Sequence, residues 1–204
     1  MKPINRYLSN KIQQFNIKAT DDTILKIVKN ELDHLGHDAD LNHIDVSDVT
    51  NMSSLFSCAK IDLGPKYGDL NPDISQWNVS NVKDMYEMFY SCKNFNQDLS
   101  QWDVSKVKTM GGMFHECENF NQDLSQWDVS KVENMQYMFY GDENFNKDIS
   151  NWDVSSVKNM SGMFWSCKNF NQDLSSWDVR KVENMYCMFF SCPIKEEFKP
   201  RFKK

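Results

Sequence analysis

The sequence is poor in the residues and spacings that mark several classes of enzyme. Its 204 residues include only 7 glycines and 4 histidines, and no glycine-rich loop of the kind that cradles a phosphate occurs. No cysteine pair has the C-x-x-C spacing of zinc or redox sites. No grouping of a nucleophile with a base is recognisable. These absences argue against a catalytic protein.

Long apolar runs are also missing. No segment reaches the roughly 18 apolar residues that a membrane-spanning helix needs. The first 16 residues lack the apolar centre of a secretory signal. The net charge of −6 gives no reason to expect a polyanion as partner. We therefore expect no membrane insertion, no nucleic-acid binding and, for the chain as written, a cytoplasmic location.

A 25-residue repeat dominates what is present. The string FNQDLSQWDVSKV begins at Phe95 and again at Phe120, and the variant FNKDISNWDVSSV begins at Phe145. A fixed period of this size means that one supersecondary unit stacks on copies of itself. The repeat favours an interaction protein over a compact enzyme. Its tryptophans recur without a slip at Trp77, Trp102, Trp127, Trp152 and Trp177.

The chain divides into a cap, six repeats and a tail. Residues 1–38 lie outside the repeat and predict an N-terminal helical cap, with a helix that begins after Thr20-Asp21-Asp22 and ends at Gly36. The repeats occupy residues 39–192, and the first carries an insertion at 59–70. Residues 193–204 form a C-terminal cap and basic tail. We expect a monomer.

The apolar spacing changes within each repeat from strand-like to helical. Residues 99–104 alternate as in a short strand, and residues 107–117 place apolar side chains on one helical face. The predicted fold class is therefore α/β: a right-handed, leucine-rich-repeat-like solenoid of strand–helix units.

The patterns L-S-x-W-D-V and V-x-x-M-x-x-M-F-x-x-C carry a family resemblance over residues 40–192. The chain resembles bacterial surface repeat proteins of the BspA leucine-rich-repeat type. The resemblance implies a leucine-rich-repeat-like solenoid, a role in adhesion or protein recognition, and a cell-surface location.

One variable position follows the apolar phenylalanine of each repeat and should lie opposite the apolar stripe. We call its five residues the aromatic column. Such a row of rings either forms an interaction surface or covers the core from outside. The column consists of Tyr90, His115, Tyr140, Trp165 and Phe190, and the same face is extended by Tyr86, Tyr137 and Tyr186.

Two columns of acidic residues allow a second interpretation, a calcium-stabilised structural module. The alternative is that each carboxylate accepts backbone N–H groups in an Asx-turn. The first column is Asp73, Asp98, Asp123, Asp148 and Asp173; the second is Asn78, Asp103, Asp128, Asp153 and Asp178.

Other reactive residues fit structural roles. The six cysteines are expected to be reduced, half-buried thiols. The neighbouring His34, His37 and His43 match no metal-binding spacing. An enzyme with a site near the 59–70 insertion is the weaker alternative. We therefore predict a non-catalytic protein-interaction or adhesion module that binds an unidentified protein and uses no metal or cofactor.

Overall fold

The computed structural model describes residues 16–57 and 69–201. Their regular elements are strand β1 (Ile17–Lys18), helix α1 (Ile24–Leu35), strand β2 (Ile44–Asp45) and a 3₁₀ helix (Glu196–Phe198). β1 and β2 pair in parallel, with Ile17 opposite Ile44. Most of the 59–70 insertion, Cys58, and both ends of the chain lie outside the described residues.

Helix α1 confirms the helix predicted between Thr20 and Gly36. Its apolar face buries Ile24, Val28 and Leu32. Gly36 ends the helix with φ at 94°, a conformation that favours glycine, and its N–H donates to the Leu32 carbonyl at 2.9 Å. Leu35, the last residue of α1, is 39% exposed.

Asp21 joins the segment before α1 to the first repeat rather than capping the helix. Its carboxylate accepts the N–H groups of Thr50 at 2.6 Å and Asn51 at 3.0 Å, and the Thr50 hydroxyl at 2.7 Å. Burial acts to raise the pKa of Asp21, but these hydrogen bonds outweigh it and lower the pKa. The ionised carboxylate of Asp21 therefore holds the N-terminal cap on the first repeat.

The repeats lie directly on one another in sequence order. We divide the later ones as 70–94, 95–119, 120–144, 145–169 and 170–192. Single parallel β-bridges link successive repeats through Asn51, Asp84, Thr109, Asn134, Asn159 and Asn184. Because each bridge joins equivalent positions, every repeat position becomes a column along the stack.

The described repeats do not form the predicted helix. The N–H groups of Met85, Glu87, Phe89 and Ser91 donate to carbonyls of the next repeat at 2.7–3.0 Å, whereas a helix would direct each to its own chain four residues back. Glu87 and Ser91 also have φ of 53° and 60°, in the left-handed region. Consecutive turns therefore replace the helix, and they keep the same apolar face.

The predicted strand around residues 99–104 is likewise absent from the described repeats. Trp102 instead closes a turn, its N–H donating to the Leu99 carbonyl at 3.1 Å. Its indole N–H donates to the Ile74 carbonyl of the preceding repeat at 3.3 Å. Equivalent bonds hold Trp77, Trp127, Trp152 and Trp177. The repeated tryptophan therefore fastens each repeat to the one before it.

Two columns of phenylalanine form the centre of the core. Phe89 and Phe114 have ring centroids 5.6 Å apart, and Phe95 and Phe120 are 6.0 Å apart. Within one repeat the two columns touch, with Phe89 and Phe95 at 4.0 Å. All four rings are fully buried. This continuous apolar interior makes each repeat depend on its neighbours.

A cysteine column borders the core and is interrupted by one acid. Cys167, Cys187 and Cys192 are free thiols. Cys117 and Cys167 donate to carbonyls of the preceding repeat at 3.0 and 2.8 Å. Asp142 takes the cysteine position in repeat 120–144. It is completely buried, and neither carboxyl oxygen makes a hydrogen bond within the described part of the chain. Burial raises the pKa of Asp142 well above its usual value. The N–H groups of Asn144 and Phe145 act against this only as electrostatic contacts that fall short of hydrogen-bond geometry.

Asp142→Cys should stabilise the protein at pH 7 by about 1–3 kcal/mol, the cost of an unsatisfied buried polar group. Because the pKa of Asp142 is raised by folding, its penalty is small below the unfolded pKa near 3.8 and grows as pH rises. Urea unfolding at pH 4 and pH 7 would measure this. The gain should shrink at pH 4.

The reverse replacement, Cys117→Asp, provides the matched control one repeat earlier. It should destabilise the protein at pH 7 and do so less at pH 4. Equal stability of Asp142→Cys and the parent at pH 7 would show that the buried carboxyl is satisfied.

Candidate functional site

The aromatic column forms a continuous row of ring contacts along the stack. The centroid of His115 lies 4.5 Å from that of Tyr90 and 4.4 Å from that of Tyr140, both in stacked geometry. Trp165 lies 5.6 Å from Tyr140 in a tilted arrangement and 5.1 Å from Phe190 in an edge contact. The five residues that the repeat pattern groups together are therefore neighbours in space.

The column lies at the border between core and solvent. Tyr90, His115, Tyr140 and Trp165 are half-buried, and Phe190 is 56% exposed. Each ring packs on its neighbours and still reaches solvent. The buried side of each ring thus covers the core, as the first interpretation requires, and the exposed side is available for contact, as the second requires.

The backbone fixes the spacing of the column. The carbonyl of His115 accepts the N–H of Ser91 at 2.7 Å, and the carbonyl of Tyr140 accepts the N–H of Glu116 at 2.7 Å. These bonds belong to the ladder that joins successive repeats. Ring separations therefore follow from main-chain hydrogen bonding, and the stacked pairs have the geometry in which aromatic contacts are favourable.

The three additional tyrosines differ in their relation to the column. Tyr137 is 36% exposed and meets His115 and Tyr140 edge-on, at 6.3 and 5.9 Å. Tyr86 is half-buried and Tyr186 is 73% exposed. Neither makes a ring contact with the column among the described residues. The structure therefore adds only Tyr137 to the row of touching rings.

Two glycines explain where these tyrosines lie. A methyl group added at Gly162 would lie 2.3 Å from Cδ1 and Cε1 of Tyr137, and one added at Gly111 would lie 3.1 Å from Cδ2 of Tyr86. Each tyrosine ring thus rests against a glycine of the next repeat. This dependence was not visible in the sequence, because the glycines occur in only two of the repeats.

Two glutamates make one end of the column acidic. The Glu116 carboxylate accepts the Ser91 hydroxyl at 2.8 Å. Burial, then Glu116 and Glu87, raise the pKa of Tyr90. Burial lowers the pKa of His115 although both glutamates oppose it, so the imidazole is neutral at pH 7. The repeat pattern does not single out these glutamates, because equivalent positions in other repeats hold glycine, tyrosine or serine.

The acidic columns are engaged in local turns. Asp103 and Asp128 accept the N–H groups of Ser105 and Ser130, each at 3.0 Å. Hydrogen bonds from these serines lower the pKa of both carboxylates. The same bond two residues ahead occurs at Asp73, Asp98, Asp123, Asp148, Asp153 and Asp178. These contacts match the Asx-turn interpretation.

No group of three or more potential metal ligands occurs within residues 16–57 and 69–201. His43 lies 3.1 Å from the Glu31 carboxylate, and His34 Nδ1 lies 2.6 Å from the Asn30 carbonyl oxygen. In the same ranges no helix is long and apolar enough to cross a membrane. The residues considered for an enzymatic site near 59–70 lie almost entirely outside the described chain.

The fold and its outer surface define a protein of stacked 25-residue repeats. A family described as "Mycoplasma protein of unknown function, DUF285" matches residues 8–141 and again 122–199. The chain belongs to this family. Comparisons with curated proteins and with solved structures found no match.

Gly162→Ala should destabilise the protein by about 1–3 kcal/mol, as overpacking does, because the new methyl group would collide with Tyr137. Adding Tyr137→Ala should recover part of this loss. Denaturant unfolding of the two single variants and the double variant measures the coupling between the positions.

Gly112→Ala is the matched control in the same column. Its φ of 62° equals that of Gly162 within a degree, but the nearest atom to its methyl group would be Cγ of the flexible Glu87 side chain, at 3.0 Å. Its cost should be smaller. Strict additivity in the Tyr137–Gly162 cycle would refute the proposed packing of that ring.

Proposed function

We propose that this chain is a non-catalytic protein-binding module, acting in adhesion or assembly, and that its partner contacts the aromatic column. We further propose that the stack is a solenoid of the leucine-rich-repeat kind, similar to BspA-type repeat proteins. One observation carries the functional proposal: five half-buried or exposed ring-bearing side chains touch in sequence along the outside of the repeats.

The chemistry of the column fits a protein surface as partner. Tyrosine and tryptophan are the residues that contribute most binding energy at protein interfaces, since they offer large, stiff contact areas. Stacking within the column restricts these rings before binding, so little side-chain freedom remains to be lost on association. The side chains differ from repeat to repeat, which gives the surface a unique sequence of contacts.

The acidic end of the column indicates the charge of the partner. Glu87 and Glu116 lie close enough to Tyr90 and His115 to shift their pKa values. Charge complementarity at interfaces raises the rate of association and selects the partner. We propose that the partner offers Lys or Arg groups beside the apolar contacts, where they can also face the rings of the column.

Replacing Tyr140 and Trp165 together with alanine should weaken partner binding at least tenfold, since such anchor residues contribute about 2 kcal/mol or more. The unfolding free energy should fall by only about 0.5–1.5 kcal/mol per stacked ring removed. Phe114→Ala, in the buried column, should cost about 3–5 kcal/mol. Affinity capture, followed by titration of the purified captured protein, measures binding; urea unfolding measures stability.

Gln126→Ala with Asn151→Ala forms the matched control. Both residues are exposed and lie in the same two repeats as Tyr140 and Trp165, but outside the column. This variant should bind like the parent. A protein that binds the column variant as tightly as the parent would refute the proposed contact surface, and a stability loss as large as that of Phe114→Ala would make the rings part of the core.

A further inference from the structure

The last repeat has an edge at which the main-chain ladder stops. In repeat 145–169, alternate N–H groups donate to carbonyls of the last repeat at 2.8–2.9 Å; these donors are Met160, Gly162, Phe164 and Ser166. The equivalent N–H groups of the last repeat make no hydrogen bond within the described residues. They belong to Met185, Cys187, Phe189 and Ser191. We call residues 183–191 the open edge.

The open edge also has one unused acceptor. Along the stack the N–H of Glu133 donates to the carbonyl of Lys108, that of Lys158 to the carbonyl of Glu133, and that of Glu183 to the carbonyl of Lys158, at 2.8–2.9 Å. The carbonyl of Glu183 accepts no hydrogen bond from the described part of the chain. The open edge therefore presents, in order along the chain, the Glu183 carbonyl and then the N–H groups of Met185, Cys187, Phe189 and Ser191.

Apolar side chains at the open edge are more exposed than their counterparts inside the stack. Met185 is 40% exposed, whereas Met135 and Met160 are completely buried. Tyr186 is 73% exposed, whereas Tyr86, the tyrosine of the same column, is half-buried. This difference in exposure is the apolar surface that the next repeat covers at each interior position. The open edge thus has the apolar surface and the hydrogen-bonding groups of a repeat–repeat interface, but no further repeat packs against it.

The C-terminal tail covers the other half of this end. The N–H of Lys195 donates to the Asn171 side chain at 3.1 Å, and the carbonyl of Phe198 accepts the N–H of Leu174 at 2.8 Å. The Lys199 ammonium lies 5.8 Å from the Phe189 ring centroid. Residues 194–199 therefore occupy the place where a further repeat would begin. The described tail reaches the open edge at the Phe189 ring and leaves its four alternate N–H groups without a hydrogen bond from the described residues.

Two copies of the open edge do not match each other. Two open edges facing each other would oppose N–H groups to N–H groups. At the opposite end of the stack, Asp21 binds Thr50 and Asn51, and Ile24 of α1 is packed into the core. The required partner must instead bring a row of carbonyl groups. This requirement excludes a symmetric dimer through the open edge.

We propose that the open edge binds an apolar segment of another protein that presents main-chain carbonyl groups at alternate residues, as the M-x-x-M-F turns of each interior repeat do. The repeat–repeat interface inside the chain is the template, and the open edge continues it. Main-chain bonds supply affinity, and the apolar surface of Met185 and Phe189 selects apolar side chains, as in β-strand addition. The open edge shares Phe190 with the aromatic column but does not include Tyr140 or Trp165, the two residues whose replacement tests the column.

Hydrogen exchange measured residue by residue tests the proposal on the full chain. In the free protein, the amides of Met185, Cys187, Phe189 and Ser191 should exchange far faster than their equivalents in repeat 145–169. The probe is a blocked peptide with the sequence of residues 132–143, at about 1 mM, enough to reveal millimolar binding. It should slow exchange of the four amides at least about twofold, as half-saturation requires.

Two controls separate the features that bind. A peptide in which Met135, Met138 and Phe139 are replaced by serine keeps its carbonyl groups and should give no slowing. Met185→Lys in the protein should weaken peptide binding at least about tenfold, and Asn151→Lys, which adds the same charge at an exposed site of another repeat, should not. The Tyr140→Ala, Trp165→Ala variant should bind the peptide like the parent. A failure of the aromatic-column proposal can therefore be told apart from a failure of the open-edge proposal.

Three outcomes would overturn the proposal. The first is unchanged exchange at the four amides when the peptide is present. The second is equal slowing by the serine-substituted peptide, which would show that apolar recognition plays no part. The third is slowing that increases with the concentration of the protein alone, because a second copy would then be the occupant.

Discussion

The hydrogen bonds between alternate backbone groups of successive repeats are the constraint on which the rest of the structure depends. The N–H of Phe89 donates to the carbonyl of Met113 at 3.0 Å, and its equivalents repeat along the stack. These bonds satisfy buried polar groups that would otherwise be costly. They also set the separation of 5.6 Å between the Phe89 and Phe114 rings. Core stacking and the spacing of the aromatic column follow from that separation.

A stack held this way has two ends, and the ends of this chain differ. Asp21 and α1 cover the first repeat with charge-assisted hydrogen bonds and apolar side chains. The tail reaches only half of the last repeat, where Lys195 continues an asparagine ladder that begins at Asn71. Repeat proteins need polar or covered ends to remain soluble. The half of the last repeat that the described tail leaves uncovered therefore exposes the same kinds of N–H groups and apolar side chains that join the repeats inside the stack.

Columns were predictable, whereas the local backbone was not. The 25-residue period placed Tyr90 and His115 in one row, and the Asx-turn was one of the two interpretations of the acidic columns; the ring contact and the turn at Asp103 are both present in the structure. The helix expected over residues 107–117 failed because a chain of turns with left-handed residues produces the same apolar spacing. Gly112 and Glu116 are the left-handed residues there, with φ of 62° and 57°, and a glutamate gives no sign of such a conformation.

The sequence by itself determined which residues share a column, since a fixed period forces equivalent residues to meet when repeats stack. Only the tertiary structure decided how each column is used. It aimed the indole of Trp102 at the preceding repeat, buried Asp142 without a hydrogen bond to the described residues, and set Tyr137 against Gly162. Within the described part of the chain it also left four N–H groups of the last repeat without a hydrogen bond, those of Met185, Cys187, Phe189 and Ser191. These outcomes depend on backbone direction and on which neighbour is present, and a one-dimensional pattern records neither.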